Sequence, residues 1–203
     1  MNLLSAKEAI AIFRQSIAEY HLQNHVDANF ENPFPSESLA GLLYRKNWID
    51  TVQWHLEDII RNPEISTETF IATKRRIDSS NQDRTDTVEL IDDVFFKAFS
   101  GNPVEEEARL NSETPAWLLD RLSILELKIY HFQEQVERTD ADEAHRESVS
   151  AKLRVLLEQE KDLSICFNEL MLDLSTGKKY MKTYRQMKMY NDPTLNPELY
   201  GKA

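Results

Sequence analysis

The ten residues Asp78-Ser79-Ser80-Asn81-Gln82-Asp83-Arg84-Thr85-Asp86-Thr87 contain no apolar side chain, yet they lie inside what otherwise reads as one long amphipathic helix. Such a run is either a loop or a polar stripe turned into a helical core. The heptad spacing selects the second reading. Phe70, Ile77, Arg84 and Ile91 fall on one line, and Lys74, Asn81, Val88 and Phe95 fall on its i+4 partner, so Arg84 and Asn81 occupy seam positions. Ile77, Val88 and Ile91 stay in phase only if no residue of the run is looped out. Polar groups at a seam cost several kcal/mol unless they are paired, so they demand partners. Glu160 is the obvious partner for Arg84, because it is the only charged residue in the seam of a later helix and also lies near its helix centre; Asp120 is the rival.

Working outward, Ser5-x-x-Glu8 is a capping box that opens a first helix ending near His25. After a proline-bearing loop, a second helix runs from Ser36 to Arg61, with Leu42, Ile49 and Leu56 alternating with Val52 and Ile59 along its seam and Trp48 and His55 flanking it. The third helix begins after Ser66-Thr67 and continues to about Ala98, where Ser100-Gly101-Asn102-Pro103 breaks it. Thr114-Pro115 is an N-cap followed by proline at the first helical position. It opens a fourth helix with apolar residues on two faces, Ile124 and Leu127 lying across from the main seam. Asp140-x-x-Glu143 is read as the cap of a fifth helix that Gly177 ends. The fold class is all-α, an antiparallel bundle of about five long helices over residues 1–176, with a short basic aromatic helix or tail over 177–203.

That tail carries a charge of +4 on a chain whose net charge is −11, and it most simply packs back onto the acidic bundle. The acidic balance argues against nucleic acid and anionic membrane surfaces as partners. Cys166, the one cysteine, excludes a disulfide framework and reads as a small core hydrophobe. The N-terminal stretch has a broken apolar pattern rather than a signal-peptide core, and no stretch approaches a membrane span, so a cytoplasmic location is expected. Homo-oligomerisation is open.

Three segments hold most of the polar groups that the helical pattern does not place in solvent: Gln53 to Asp58, Lys74 to Asp93, and Asp120 to Ser123 with Lys128 and His131; they fall in the stretches QWHLEDIIR, KRRIDSSNQDRTDTVELIDD and LDRLSILELKIYH. Together with the terminal YRQMKMYNDPTLNPELY they resemble the bacterial domain-of-unknown-function family numbered 4254. The resemblance implies no catalytic residues; it suggests a setting beside glycosyltransferases of envelope lipopolysaccharide synthesis.

Two functional classes follow from the residues. In the first, a binding or accessory protein, Arg84, Arg121 and Lys74 hold a phosphate or sugar phosphate, and Asn81, Gln82 and Asp120 order hydroxyls, with His55 and His131 beside the polar seam. No cofactor is needed. The competing structural reading has the same groups satisfying one another and fixing helix register. In the second class, a phosphohydrolase partly like the all-α nucleotide pyrophosphohydrolases, Asp86, Glu89, Asp92 and Asp93 line successive turns and Glu57 or Asp58 adds oxygens, suiting Mg²⁺ or Mn²⁺. The paired Glu-x-x-Glu of those enzymes is missing, since Arg61 follows Glu57-Asp58. Neither a di-iron Glu-x-x-His pair, a strained serine elbow, a glycine-rich phosphate loop nor a Cys/His zinc spacing is present.

Overall fold

In the computed structural model, which describes residues 3–187, 189 and 192–201, each long helix starts where a short polar side chain captures an otherwise unpaired amide. Ser5 and Glu8 close the capping box of α1, Ala6–Gln23, and Asn24 ends it in the left-handed region at φ 48°. Ser38 caps α2, Leu39–Ile60, and Ser66 caps α3, Thr67–Phe99. Thr114 caps α4, Pro115–Glu137, with Pro115 at its first position. The 34-residue α5, Glu143–Thr176, is capped by Asp142 and ends at Gly177. A single turn, α6, Pro197–Tyr200, lies in the tail.

The polar run 78–87 is helical and continuous with its flanks, within a 33-residue helix. Two of its hydroxyls are satisfied internally: Thr85 donates to the Asn81 carbonyl at 2.9 Å and Thr87 to that of Asp83 at 2.7 Å. Back-bonding of this kind lets threonine be buried in a helix without a distant partner.

Four boundaries or contacts differ from expectation. The second helix begins at Leu39 rather than Ser36, because a turn from Pro35 to Ser38 comes first. Asp142, not Asp140, caps α5; the Asp140 carboxylate is taken by Arg138 at 2.7 Å. Glu160 pairs with Arg14 of α1 at 2.7 Å rather than with Arg84, since α5 packs chiefly against α4 and faces α1, while α3 lies against α2 and α4. Cys166 is exposed, one position off the buried Phe167, on the outer face of α5.

The core gathers Phe13, Tyr20, Leu43, Tyr44, Ile91, Phe95, Leu119, Leu122 and Phe167 between the five helices. As its two apolar faces require, α4 contacts each of the other four long helices. Beyond α5, Gly177 adopts φ 79° and turns the chain so that Lys179–Tyr180 (β2) pairs in parallel with Arg109–Leu110 (β1), a short ladder the helical pattern did not indicate. Residues 181–187 then run without regular structure, where a short helix was expected; Met181 is buried in the core, and Arg185 reaches Glu89 and Asp93 of α3 at 3.0 and 2.8 Å. The sequence Asn191-Asp192-Pro193 favours a turn, and the Leu195 and Asn196 amides donate to the Asp192 carbonyl at 3.1 and 2.9 Å; Asn191 lies outside the described residues. No helix among the described residues is long and apolar enough to cross a membrane.

Gly177 combines positive φ with close approach: a Cβ there would lie 2.2 Å from the Pro103 carbonyl oxygen. Gly177→Ala is therefore expected to destabilise the protein by about 1–3 kcal/mol, through strain and overpacking together. Urea denaturation checks this. A loss below about 0.5 kcal/mol would mean that this turn does not constrain the 103–110 segment.

Candidate functional site

The seam position of Arg84 brings its guanidinium to a buried ionic centre shared by α2, α3 and α4. Lys46, of which only 1% is exposed, donates to Asp50 Oδ2 at 2.5 Å and to the Asp120 carbonyl at 3.0 Å, and its Nζ stands 2.9 Å from Asp120 Oδ1. Arg84 Nη2 pairs with Asp120 Oδ2, and its Nε lies 3.3 Å from Asp50 Oδ1. Ser123 donates to Asp50 Oδ2 at 2.7 Å and accepts from Asn47 Nδ2 at 3.0 Å. Two cations and two carboxylates balance, which is the condition under which charge survives burial. Burial pushes the Asp50 carboxyl above its ordinary range, and the Lys46 ammonium opposes that shift.

A cavity of about 330 Å³ opens on this centre. Asp50 and Arg84 form its charged floor, Trp54, Ile124 and Leu127 its apolar wall, and Gln53, Glu57, Asp58 and Arg61 its polar rim. Arg61 is steadied by Glu57 at 2.5 Å. The Trp54 indole is backed by His131, stacked 4.8 Å away with the planes 12° apart.

The remaining sequence candidates disperse. Asn81 accepts from Gln53 at 3.0 Å, at the edge of the cavity. Lys74 pairs with Asp78, Gln82 with Asp86 at 2.7 Å and Arg121 with Glu113 at 2.9 Å, all at the surface. Their displacement follows from helix rotation of about 100° per residue: Gln82 sits two positions from Arg84, and Arg121 one from Asp120, so each turns away from the shared axis. His55 and His131 belong to a separate histidine group. Among the proposed metal ligands, Glu89 and Asp93 are held by Arg185, and Asp86 is bound by Gln82. Asp92 is buried, pushed up to about 6 chiefly by desolvation, with a hydrogen bond from Thr114 opposing. Glu57 and Asp58 face the cavity on another helix. Among the described residues, no three of these carboxylates converge on a common point.

Lys46, Asn47, Asp50 and Glu126 have no place in the sequence reading, and Ser123 enters it only within the polar segment of the fourth helix. Lys46 and Asp50 read as an ordinary i,i+4 surface pair. The available signal was the row Asp120-x-x-Ser123-x-x-Glu126 on a helix already assigned two buried faces. The last member of that row is a buried carboxylate met by a half-exposed cation: Arg14 Nε donates to Glu126 at 2.7 Å, and Arg14 also holds Glu160.

An all-α bundle closed around an ionic centre, with an adjoining cavity, is thus the class that fold and site define. The family model described as "Protein of unknown function (DUF4254)" matches residues 40–183, which include α2 to α5 and the whole ionic centre. The chain belongs to that family. No curated protein and no solved structure matches it.

Arg84→Met is expected to cost about 3–5 kcal/mol, because it leaves the buried carboxylates with one cation between them. In a double-mutant cycle with Asp120→Asn the losses should fall short of additive by about 1–3 kcal/mol, whereas Arg84→Met and Glu160→Gln should add. Chemical denaturation of the wild type and the five variants decides this, and additivity with Asp120→Asn would show that the pair is not coupled.

Burial pushes the Glu126 carboxyl up to about 7; Arg14 pulls it down and Glu160 adds repulsion. A carboxyl raised above its unfolded value contributes stability that is complete below about pH 4.5 and is lost as pH rises through about 7. The wild type should therefore lose about 1–3 kcal/mol more than Glu126→Gln between pH 5 and pH 8. Parallel pH–stability curves for the two proteins would contradict the shift.

Proposed function

We propose that this protein is a non-catalytic binding protein whose cavity takes a sugar monophosphate. The observation that carries the reading is the position of Arg84 on the cavity floor. Its Nη2 is held by Asp120 and its Nε faces Asp50 at 3.3 Å, so the guanidinium is positioned before any ligand arrives, and fixed donors bind anions with little loss of conformational entropy. Arg61 offers a second cation at the rim.

The rest of the wall suits the sugar. Trp54, braced by His131, supplies a rigid aromatic surface of the kind that packs against the C–H face of a pyranose, and Gln53, Glu57 and Asp58 provide acceptors for hydroxyls. Three carboxylates against two guanidiniums disfavour a polyphosphate. This weighs against a nucleoside triphosphate and, with the dispersed acidic side chains of α3, against metal-assisted phosphohydrolysis. Envelope glycan assembly, the setting suggested by the family resemblance, is one in which sugar phosphates circulate, and a glycosyltransferase-pathway protein is the partner class that goes with it.

Isothermal titration calorimetry with glucose 1-phosphate, glucose and inorganic phosphate tests the reading. Glucose 1-phosphate should bind at least tenfold more tightly than either fragment, and Trp54→Ala or Arg61→Ala should weaken it by tenfold or more, about 1.4 kcal/mol. No heat with glucose 1-phosphate, glucosamine 1-phosphate or mannose 1-phosphate at millimolar concentration would overturn it.

A further inference from the structure

Three helices deliver one histidine each to a single point. His21 comes from the last turn of α1, His55 from α2 and His131 from α4. One ring nitrogen of each lies within 4.8 Å of the other two. The ring centroids form a nearly equilateral triangle of 5.4, 5.3 and 5.6 Å, and the rings stand edge to face at 62°, 70° and 79°.

We propose that His21, His55 and His131 form a binding site for a divalent transition-metal ion of the zinc class. In a tetrahedral site with metal–nitrogen bonds of about 2.05 Å, imidazole centroids stand about 3.2 Å from the ion and hence about 5.2 Å apart, and donor nitrogens about 3.3 Å apart. The centroid triangle already has that size. His21 Nε2 and His55 Nε2 are 3.4 Å apart, long for a nitrogen–nitrogen hydrogen bond and close to the separation of two ligands on one ion.

The protonation pattern is also that of ligands. His21 Nδ1 lies 2.7 Å from the Ile17 carbonyl, and His131 Nδ1 lies 2.7 Å from Glu134 Oε2. Those oxygens only accept, so each Nδ1 donates to its partner, and in the neutral ring Nε2 is the nitrogen that presents a lone pair. A histidine whose far nitrogen donates to a carbonyl or carboxylate is oriented and made more basic as a metal ligand. His131 Nε2 is buried and has no hydrogen-bond partner among the described residues. A buried acceptor left alone is costly, and a cation satisfies it.

Each imidazole is backed by an aromatic ring: Tyr20 stacks on His55 at 5.1 Å, Tyr130 lies against His21 at 4.3 Å and Trp54 stacks on His131 at 4.8 Å. Three nitrogen donors without a carboxylate reject Mg²⁺ and Ca²⁺ and select Zn²⁺ and its neighbours. A tetrahedral ion held by three side chains keeps a fourth position for water or a small anion.

The full-length protein, stripped with a chelator, is titrated with Zn²⁺ in competition with a chromophoric chelator and, separately, with Co²⁺ by visible absorption. One equivalent of Zn²⁺ should bind with micromolar or tighter affinity, and Co²⁺ should give the intense bands of a four-coordinate site. His55→Ala and His131→Ala should each weaken binding at least 100-fold, and Glu134→Ala about 10–100-fold. The double variant His25→Gln, His145→Gln, which alters the two histidines outside the cluster, should bind as the wild type does. X-ray absorption of the zinc-loaded wild type should show three imidazoles, a readout independent of whether any variant folds. Less than 0.2 equivalents bound, undiminished binding in His55→Ala, or fewer than three imidazoles on the ion would overturn the site.

Discussion

A lysine ammonium removed from water needs carboxylates at hydrogen-bond distance, and Lys46 finds them on two different helices. Asp50 is one turn away on its own helix, but Asp120 comes from α4, and Arg84 of α3 then closes the arrangement by binding both acids. Unlike an apolar seam, this contact tolerates no slippage. Moving any one of the three helices by a turn would strand a charge in a medium where isolated ions cost several kcal/mol. The apolar core supplies most of the attraction between α2, α3 and α4, and the ionic centre sets the register in which they attract. The same requirement keeps the polar run of α3 helical, since Arg84 reaches the centre only if residues 78–87 continue the helix that buries Ile77 and Val88.

The cavity lies against that centre. The space beside Arg84 is bounded on the other side by Trp54, Ile124 and Leu127. Arg84 is the member of the ionic cluster with appreciable exposure, 23% of its side chain against 1–5% for Lys46, Asp50 and Asp120. Structural and binding roles therefore coincide in one residue: the contacts that fix the guanidinium for the fold also fix it for a ligand.

The helices were legible because their signals are local. Ser5, Ser66 and Thr114-Pro115 act on amides within one turn, and Gly177 ends α5 through its own left-handed conformation. Asp140 misled because Arg138, two residues earlier, competes for its carboxylate. The site was legible where a polar residue breaks an apolar seam, as Arg84 does, or flanks a second apolar face, as Asp120 does beside Ile124 and Leu127. Lys46 and Asp50 break nothing, because α2 is covered by α1, α3 and α4 together and has no single buried face against which they would look wrong. Matching helix centres pairs Arg84 with Glu160, a rule that presumes α3 and α5 are neighbours. Which helices adjoin is a tertiary fact, and Arg14 on α1 claims Glu160 instead. His21 left no mark in the sequence at all, lying beside the seam residue Tyr20 in a last turn where a basic side chain is explained by the helix dipole.

Trp54 joins the two proposed centres. One indole forms the cavity wall and also backs His131, so a ligand packed on Trp54 and an ion bound by His131 act on the same ring. His131 is in turn tied through Nδ1 to Glu134 and cannot rotate away without losing that bond. An ion on Nε2 would fix the imidazole from both sides, and a fixed imidazole restricts the indole stacked against it. Restricting Trp54 before a sugar arrives removes part of the ordering cost of binding. By linkage, any gain in ligand affinity from the ion must equal the gain in ion affinity from the ligand. The coupling runs through a single aromatic contact and requires no movement of the helices, whose register the buried ions already hold.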